Sequence, residues 1–272
     1  MAWIRSSCMG DARWRPVLKH ALSIAGSDAC GGAGLQADLK TFAAFGVDGA
    51  SVVTAVTAQN SNGVHAMQLM PATMVQAQLD AVFDEMSIDA VKIGMLGNAG
   101  IVAGVAKQLA RRRPPFAILD PVLVATSGTR LLDVTALDLL RLRLLPLVDC
   151  LTPNLAEAAA LLDAPCARSE PEMLAQGRAL LAFGPRAVLM KGGHAALPEA
   201  IDLLVSAQGT QRFAAPWVAT DHLHGTGCML SAGIAAGIAN GDDLADAVAR
   251  AKTHLRHVLV GRQRGRSAQA SD

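Results

Sequence analysis

Ala21 to Asp38 reads ALSIAGSDACGGAGLQAD: an apolar run of strand length, a polar turn at Gly26, Ser27 and Asp28, and a glycine-rich passage that leads into a helix. From residue 21 onward the same alternation repeats. Apolar runs of strand length are followed by segments of helical period, the signature of a mostly parallel sheet wrapped by helices. Further strands are expected at Ser51 to Ala58, Asp89 to Ile93, Phe116 to Asp120, Val148 to Thr152 and Arg186 to Met190. Between them Val75, Leu79, Val82, Phe83 and Met86 recur at helix spacing behind Thr73 and Gln76, which are spaced as a capping box. A second box, Ser169 with Glu172, opens Glu170 to Phe183. After Lys191 the pattern changes, and Ile201 to Ala207 with Gln211 to Ala214 reads as an antiparallel pair around a Gln208, Gly209 turn. Two helices close the chain, the last beginning near Asp242 with Leu244, Val248, Ala251, Leu255 and Val258 on one face.

The chain has 272 residues, enough for one large α/β domain, and no break in composition divides it. Residues 1–19 are expected to be a flexible extension, 20–260 a single domain and 261–272 a frayed basic tail. Hydrophobic residues make up 51% but aromatics only 3%, so the core must be built from Ala, Leu, Val, Ile and Met. A net charge of +1 gives no footprint for nucleic acid or an anionic membrane, and a small neutral or anionic ligand fits better. The five cysteines are odd in number and lack metal or redox spacing, which excludes a disulfide framework and a zinc site and points to the cytoplasm. Met1 to Lys19 has no secretory apolar region, and the longest apolar run, from Cys228 to about Ala239, falls short of the roughly 20 residues of a bilayer span.

In an open parallel sheet, ligands bind beyond the carboxyl ends of the strands, where the strand-to-helix loops gather. The unusual polar residues fall there: Asp28, Gln59 and Asn60, Lys92 with Gly94 and Met95, Asp120, Asn154 with Glu157, and Lys191 with Gly192 and Gly193. Each taken singly also reads as turn chemistry. His224, Gly225, Thr226, Gly227 and Cys228 stand directly before an apolar helix, so backbone N–H groups with no partner inside the helix face whatever lies ahead of its first turn. At the positive end of that helix the Cys228 thiol is expected to have a lowered pKa and to serve as a base; it also reads as a small buried residue at a helix start. Gly32 to Ala37 satisfies G-x-G-x-x-A, but the glycines lie several residues past the strand and the second strand ends without a carboxylate, against a dinucleotide site. No lysine follows glycine, which excludes a Walker A loop.

Gly26-Ser27-Asp28, Gly31 to Asp38, TAVTAQN at Thr54 to Asn60, KIGML at Lys92 to Leu96, Asp120-Pro121-Val122, Thr152-Pro153-Asn154 and KGGH at Lys191 to His194 occur in that order. With these motifs the chain resembles the hydroxymethylpyrimidine and phosphomethylpyrimidine kinases of thiamine biosynthesis, from about His20 to about Leu255. The resemblance implies a ribokinase-like three-layer fold, a mostly parallel sheet flanked by helices with a small antiparallel strand pair late in the chain. It implies ATP and Mg²⁺, two successive phosphorylations of 4-amino-5-hydroxymethyl-2-methylpyrimidine, and a homodimer. By matching motifs, Gln59 would bond the aminopyrimidine edge, Asp38 would orient the hydroxymethyl group, and Gly26, Ala33, Met95 and Val122 would line the pocket. Asn154, Glu157, Lys191 and Thr226 would serve the nucleotide, and Asp120 with Glu157 the metal, partly through water. Gly225, Thr226 and Gly227 would hold the transferred phosphoryl group while Cys228 takes the hydroxymethyl proton. Ala29 and Cys30, His222 and Leu223, and the tail from Gly261 depart from the family pattern. The alternatives are a pyridoxal kinase on the same fold and a non-catalytic pyrimidine or nucleotide sensor.

Overall fold

The computed structural model describes residues 18–60, 63–125, 128–193, 199–218 and 224–269, with side chains as far as 263. Most of the expected N-terminal extension, and His194, His222 and Leu223, lie outside the described residues. In chain order the elements are β1 (His20–Asp28), α1 (Gly34–Ala44), β2 (Asp48–Asn60), β3 (Gly63–Leu69), α2 (Ala72–Glu85), β4 (Ala90–Ile93), α3 (Ala99–Arg112), β5 (Ala117–Leu119) and α4 (Val134–Leu139). They continue with β6 (Cys150–Leu151), α5 (Leu155–Leu162), α6 (Glu170–Leu181), β7 (Ala187–Lys191), β8 (Ala200–Ser206), β9 (Gly209–Ala215), α7 (Thr226–Ala239) and α8 (Leu244–Gln269).

One nine-stranded sheet runs in the order β3-β2-β1-β4-β5-β6-β7-β8-β9. From β2 to β7 neighbouring strands are parallel, and β3, β8 and β9 join antiparallel at the two edges. Alternate residues of the central strands feed two separate cores, because side chains along a strand point to opposite faces. Leu22, Ile24, Val91, Ile93, Leu119, Val188 and Met190 pack toward α2, α3, α5 and α6. Ala21, Ala90, Ile118, Ala187 and Leu189 pack toward α1, α7 and α8. On that second face α7 is buried along most of its length, and Gly233 and Gly237 let α8 approach: an added Cβ at either would come within 2.9 Å of Ala251 or Ala247.

The strands read from apolar runs occur where expected, with ends shifted by a few residues. β3 was not legible, since it is mostly exposed and carries His65 and Gln68, so it has no apolar pattern to betray it. The Thr73, Gln76 box does not form: α2 begins at Ala72 behind Pro71, which puts Thr73 inside the first turn, and no side chain caps that helix. At α6 the Ser169 hydroxyl accepts from Glu172 N–H at 3.4 Å, while Glu172 returns its carboxylate to Arg168 N–H rather than to the cap. The tail is helical to Gln269, past the Gly261 at which fraying was expected.

Beneath the middle of the sheet's upper edge lies a buried ion pair. Lys92 Nζ of β4 donates to Asp38 Oδ2 of α1 at 2.7 Å, Ser23 of β1 donates to the same oxygen at 2.5 Å, and all three are wholly buried. Removing one member strands a charge in the core, which costs roughly 3–5 kcal/mol, whereas removing both charges leaves none to strand. Lys92→Met should therefore lower the unfolding free energy by about that amount in urea titration, and Lys92→Met with Asp38→Asn should recover most of the loss.

Candidate active site

The parallel strands all deliver their carboxyl ends to one edge, and α7 brings its first turn down onto that edge from the second layer. Between them is a cavity of about 250 Å³. Ala33, Gln59, Asp120, Val122, Asn154, Glu157, Lys191 and the Gly225 to Cys228 turn all line it. Asp38, Gly26 and Met95 do not. Asp38 is wholly buried in its ion pair, and Met95 packs with Ala55 and Leu131 so close to Gly26 that an added Cβ there would stand 3.1 Å from its sulfur. These three support the wall from behind.

The turn before α7 depends on glycine twice. Gly225 has φ +77°, and a Cβ there would overlap the carbonyl oxygen of Gly32 in the β1–α1 turn. At Gly227 a Cβ would stand 3.2 Å from Lys191 Nζ and 3.4 Å from Asp120 Oδ2, so its absence opens the helix N-terminus to the charged floor. The first backbone bond of α7 runs from Met229 N–H to Gly225 O at 2.9 Å; the N–H groups of Thr226, Gly227 and Cys228 precede it and lie at the positive end of the helix.

Lys191, at the last position of β7, donates to Asp120 Oδ1 at 2.6 Å and stands 4.0 Å from Glu157 Oε2. Its pKa is raised: burial works to lower it, and Asp120 and Glu157 outweigh burial. Asn154 and Glu157, read as nucleotide residues, are also the two halves of a capping box. Asn154 Oδ1 accepts from Glu157 N–H and Glu157 Oε2 from Asn154 N–H, both at 2.8 Å. The box aims the Glu157 carboxylate along the start of α5 into the cavity, so a structural bond and a site position share one side chain.

Cys228 corrects a sequence expectation. Burial pushes its thiol up to about 11, the neighbouring Asp38 and Asp120 carboxylates add to that, and Lys92 with the Gly34 N–H only partly oppose it. The helix terminus does not outweigh desolvation, so the ligand-free protein holds a thiol. Gly34 opens α1, and its N–H reaches Cys228, which therefore sits where the first turns of α1 and α7 meet.

Two further features, one beside the cavity and one at its far end, were given no role from sequence. Asp28, at the end of β1, accepts from the N–H groups of Cys30 at 3.0 Å, Gly32 at 3.1 Å and Ala33 at 2.9 Å, and from His224 Nε2 at 2.9 Å. Burial raises the Asp28 pKa, yet the His224 bond and those N–H groups hold it below the ordinary carboxylate range. At the far end the wall is apolar, formed by Pro216, Trp217, Val218, Leu255 and Leu259 with Arg256 beside them. Lys252 of α8 pins that end by donating to Asp202 Oδ2, Ala200 O and Phe213 O, and Asp202 Oδ1 in turn accepts from Gly192 N–H at 3.1 Å, behind Lys191.

Glu157 makes the site pH-sensitive. Burial and, after it, Asp120 push its carboxyl up to about 7 against the pull of Lys191 and Asn154 N–H. A carboxyl raised on folding contributes stability that is complete below its unfolded value of 4.5 and is lost as the pH rises through about 7. Glu157→Gln, whose amide oxygen can keep the capping bond, should raise the melting temperature over the parent more at pH 8.5 than at pH 5.5 by calorimetry.

Known proteins resemble this chain in sequence and fold. The family described as phosphomethylpyrimidine kinase matches residues 28–269. The hydroxymethylpyrimidine/phosphomethylpyrimidine kinase of Salmonella typhimurium is 56% identical over 217 residues, 80% of this chain and 82% of that protein. Among solved structures, the phosphomethylpyrimidine kinase of Clostridium difficile superposes with a TM-score of 0.79 at 36% identity, over 89% of this chain and 99% of that one. The Staphylococcus aureus pyridoxal kinase in complex with AMP-PCP and pyridoxal superposes with a TM-score of 0.80 at 29% identity, over 88% and 87%. A parallel sheet whose carboxyl edge is closed by a glycine turn, and a sequence match over nearly its full length, lead to one conclusion: the chain belongs to the phosphomethylpyrimidine kinase family.

Proposed function

We propose that this one cavity carries both phosphorylations of the family's reaction, hydroxymethylpyrimidine to its monophosphate and the monophosphate to the diphosphate, with ATP as donor. The supporting observation is that the acceptor end, at Gln59 and Ala33, and the donor end, at Lys191, open into the same cavity with the Gly225 to Cys228 turn between them. Phosphoryl transfer asks a protein mainly for alignment and for stabilising charge on the transferred group. The N–H groups of Thr226, Gly227 and Cys228 serve that charge, and Lys191 serves the donor phosphates. Adenine fits the apolar end at Trp217, Val218, Leu255 and Leu259, whose side chains offer a flat ring an apolar wall. Gln59 reads the aminopyrimidine edge and Val122 lines its ring, while Gly26, Met95 and Asp38 act through the wall.

The donor set suits Mg²⁺. Among the described residues no cluster of three or more His, Cys, Asp or Glu side chains could hold a metal alone. Asp120 and Glu157 supply two carboxylates with nearby space for phosphate and water, which matches an ion that keeps most of its water. The high pKa of Glu157 comes first from burial, and a bound cation would stabilise the ionised carboxylate that burial disfavours. Bound there, magnesium would neutralise phosphate charge.

In the first step the thiolate form of Cys228, a minor species near neutral pH whose own proton has gone to solvent, takes the hydroxymethyl proton. The second acceptor is a phosphate oxygen already largely ionised near neutral pH, so it needs no base. No described helix is long and apolar enough to cross a membrane, and we place the protein in the cytoplasm as a homodimer. Pairing through the β3 side is supported by Val56 and Met67, which stand exposed on β2 and β3; light scattering should give twice the chain mass of 28.1 kDa.

Cys228→Ala should cost the first phosphorylation at least 100-fold in kcat and the second under tenfold. Because kcat/KM reports the free enzyme, the first step of the parent should rise with pH from 7 toward the thiol value of about 11, and this rise should vanish in Cys228→Ala. Equal losses in the two steps would refute the base role.

A further inference from the structure

Gln59 stands between two groups that decide which way its amide faces. Its nitrogen is drawn 3.2 Å from His224 Nε2 and its oxygen 3.1 Å from Thr57 Oγ1. Each neighbour already has a stronger claim on its single proton. The Thr57 hydroxyl is 3.0 Å from the carbonyl oxygen of Ser27, which can only accept. His224 Nε2 is 2.9 Å from Asp28 Oδ2, and that carboxylate is ionised, because His224 and the Ala33 and Cys30 N–H groups outweigh the effect of burial on it. Nε2 therefore carries a proton and cannot accept one from the amide. Turning the amide end for end, which hardly changes its shape, satisfies every contact. Its N–H then donates to Thr57 Oγ1, the Thr57 hydroxyl donates to Ser27 O, and the amide oxygen accepts from His224 Nε2–H, shared with Asp28.

We propose that His224, together with Thr57, is a specificity-determining positioning residue that locks the Gln59 amide in one orientation and so selects a ring edge with an amino donor beside a ring-nitrogen acceptor. The inference rests on the reading of Gln59 as the residue that meets the ring. The lateral N–H and lateral lone pair of the amide are taken by Thr57 and His224, and the forward N–H and lone pair remain for the ligand. A free amide could turn and accept the reversed edge equally well; a locked one meets that edge donor to donor and acceptor to acceptor. Thr57 comes from β2, Asp28 from β1 and His224 from the turn before α7, so the lock joins three elements far apart in sequence.

The test measures dissociation constants by calorimetry for 4-amino-5-hydroxymethyl-2-methylpyrimidine and for its 4-oxo analogue, which carries an acceptor oxygen at C4 and a donor N–H at position 3. The parent should prefer the amino compound, and His224→Phe and Thr57→Val should each reduce that preference on the order of tenfold, the equivalent of one hydrogen bond. Thr57→Val is nearly isosteric and gives a result even if the His224 variant does not fold. A preference unchanged in either folded variant, or two ligands weakened alike, overturns the inference. Gln59→Ala separates the two readings: amino-compound affinity unchanged there overturns the role of Gln59 and the lock with it. Weakened affinity in Gln59→Ala with the preference intact in His224→Phe overturns the lock alone.

Discussion

The site depends on a backbone contact between two turns far apart in sequence. Gly225 lies so near the carbonyl of Gly32 that no side chain fits between them, and its positive φ is one that L residues seldom adopt. His224 reinforces the contact from one side through Asp28, whose carboxylate also gathers the N–H groups of Cys30, Gly32 and Ala33. This docking puts the first turn of α7 over the strand ends. Without it, the N–H groups at the start of α7, the Cys228 thiol and the Gln59 amide would belong to separate surfaces.

Charge in the site is arranged in two tiers. The upper tier, Lys191 with Asp120 and Glu157, lines the cavity and keeps one carboxyl poised near neutrality. The lower tier, Lys92 with Asp38 and Ser23, is closed to solvent and fixes the spacing between β4, β1 and α1 under the thiol. Cys228 lies between the tiers and feels both, but burial comes first in holding its proton, with Asp38 and Asp120 adding to it against the pull of Lys92. In the upper tier Lys191 is shared between two carboxylates, so its charge is already partly engaged. The lower tier is self-contained, as suits a foundation.

Much of this was legible in the residues. The Ala21 to Gly26 run and its successors mark strands because a sheet covered on both faces needs apolar residues at every position. The glycine turn and the strand-end polar residues mark the cavity because that edge is where a parallel sheet collects its loops. β3 escaped notice because a solvated edge strand has no burial to advertise. Asp38 was assigned to the ligand because its motif travels with ligand residues, whereas α1, packed on β1, puts it within 2.7 Å of Lys92 Nζ. The apolar end of the cavity was silent too, since Trp217 lies past a strand exit and Leu255 reads as part of the packing face of the last helix.

Order and chemistry of the motifs thus determined the fold class, the family and the edge at which the site lies, since these follow from local patterns of apolar, glycine and charged residues. Only the tertiary structure decided which members of that set touch the cavity, which hold one another, and where each proton resides. Burial, opposing charges and competition for a single hydrogen set the state of Cys228, Glu157 and Gln59, and those are properties of neighbours brought together by folding.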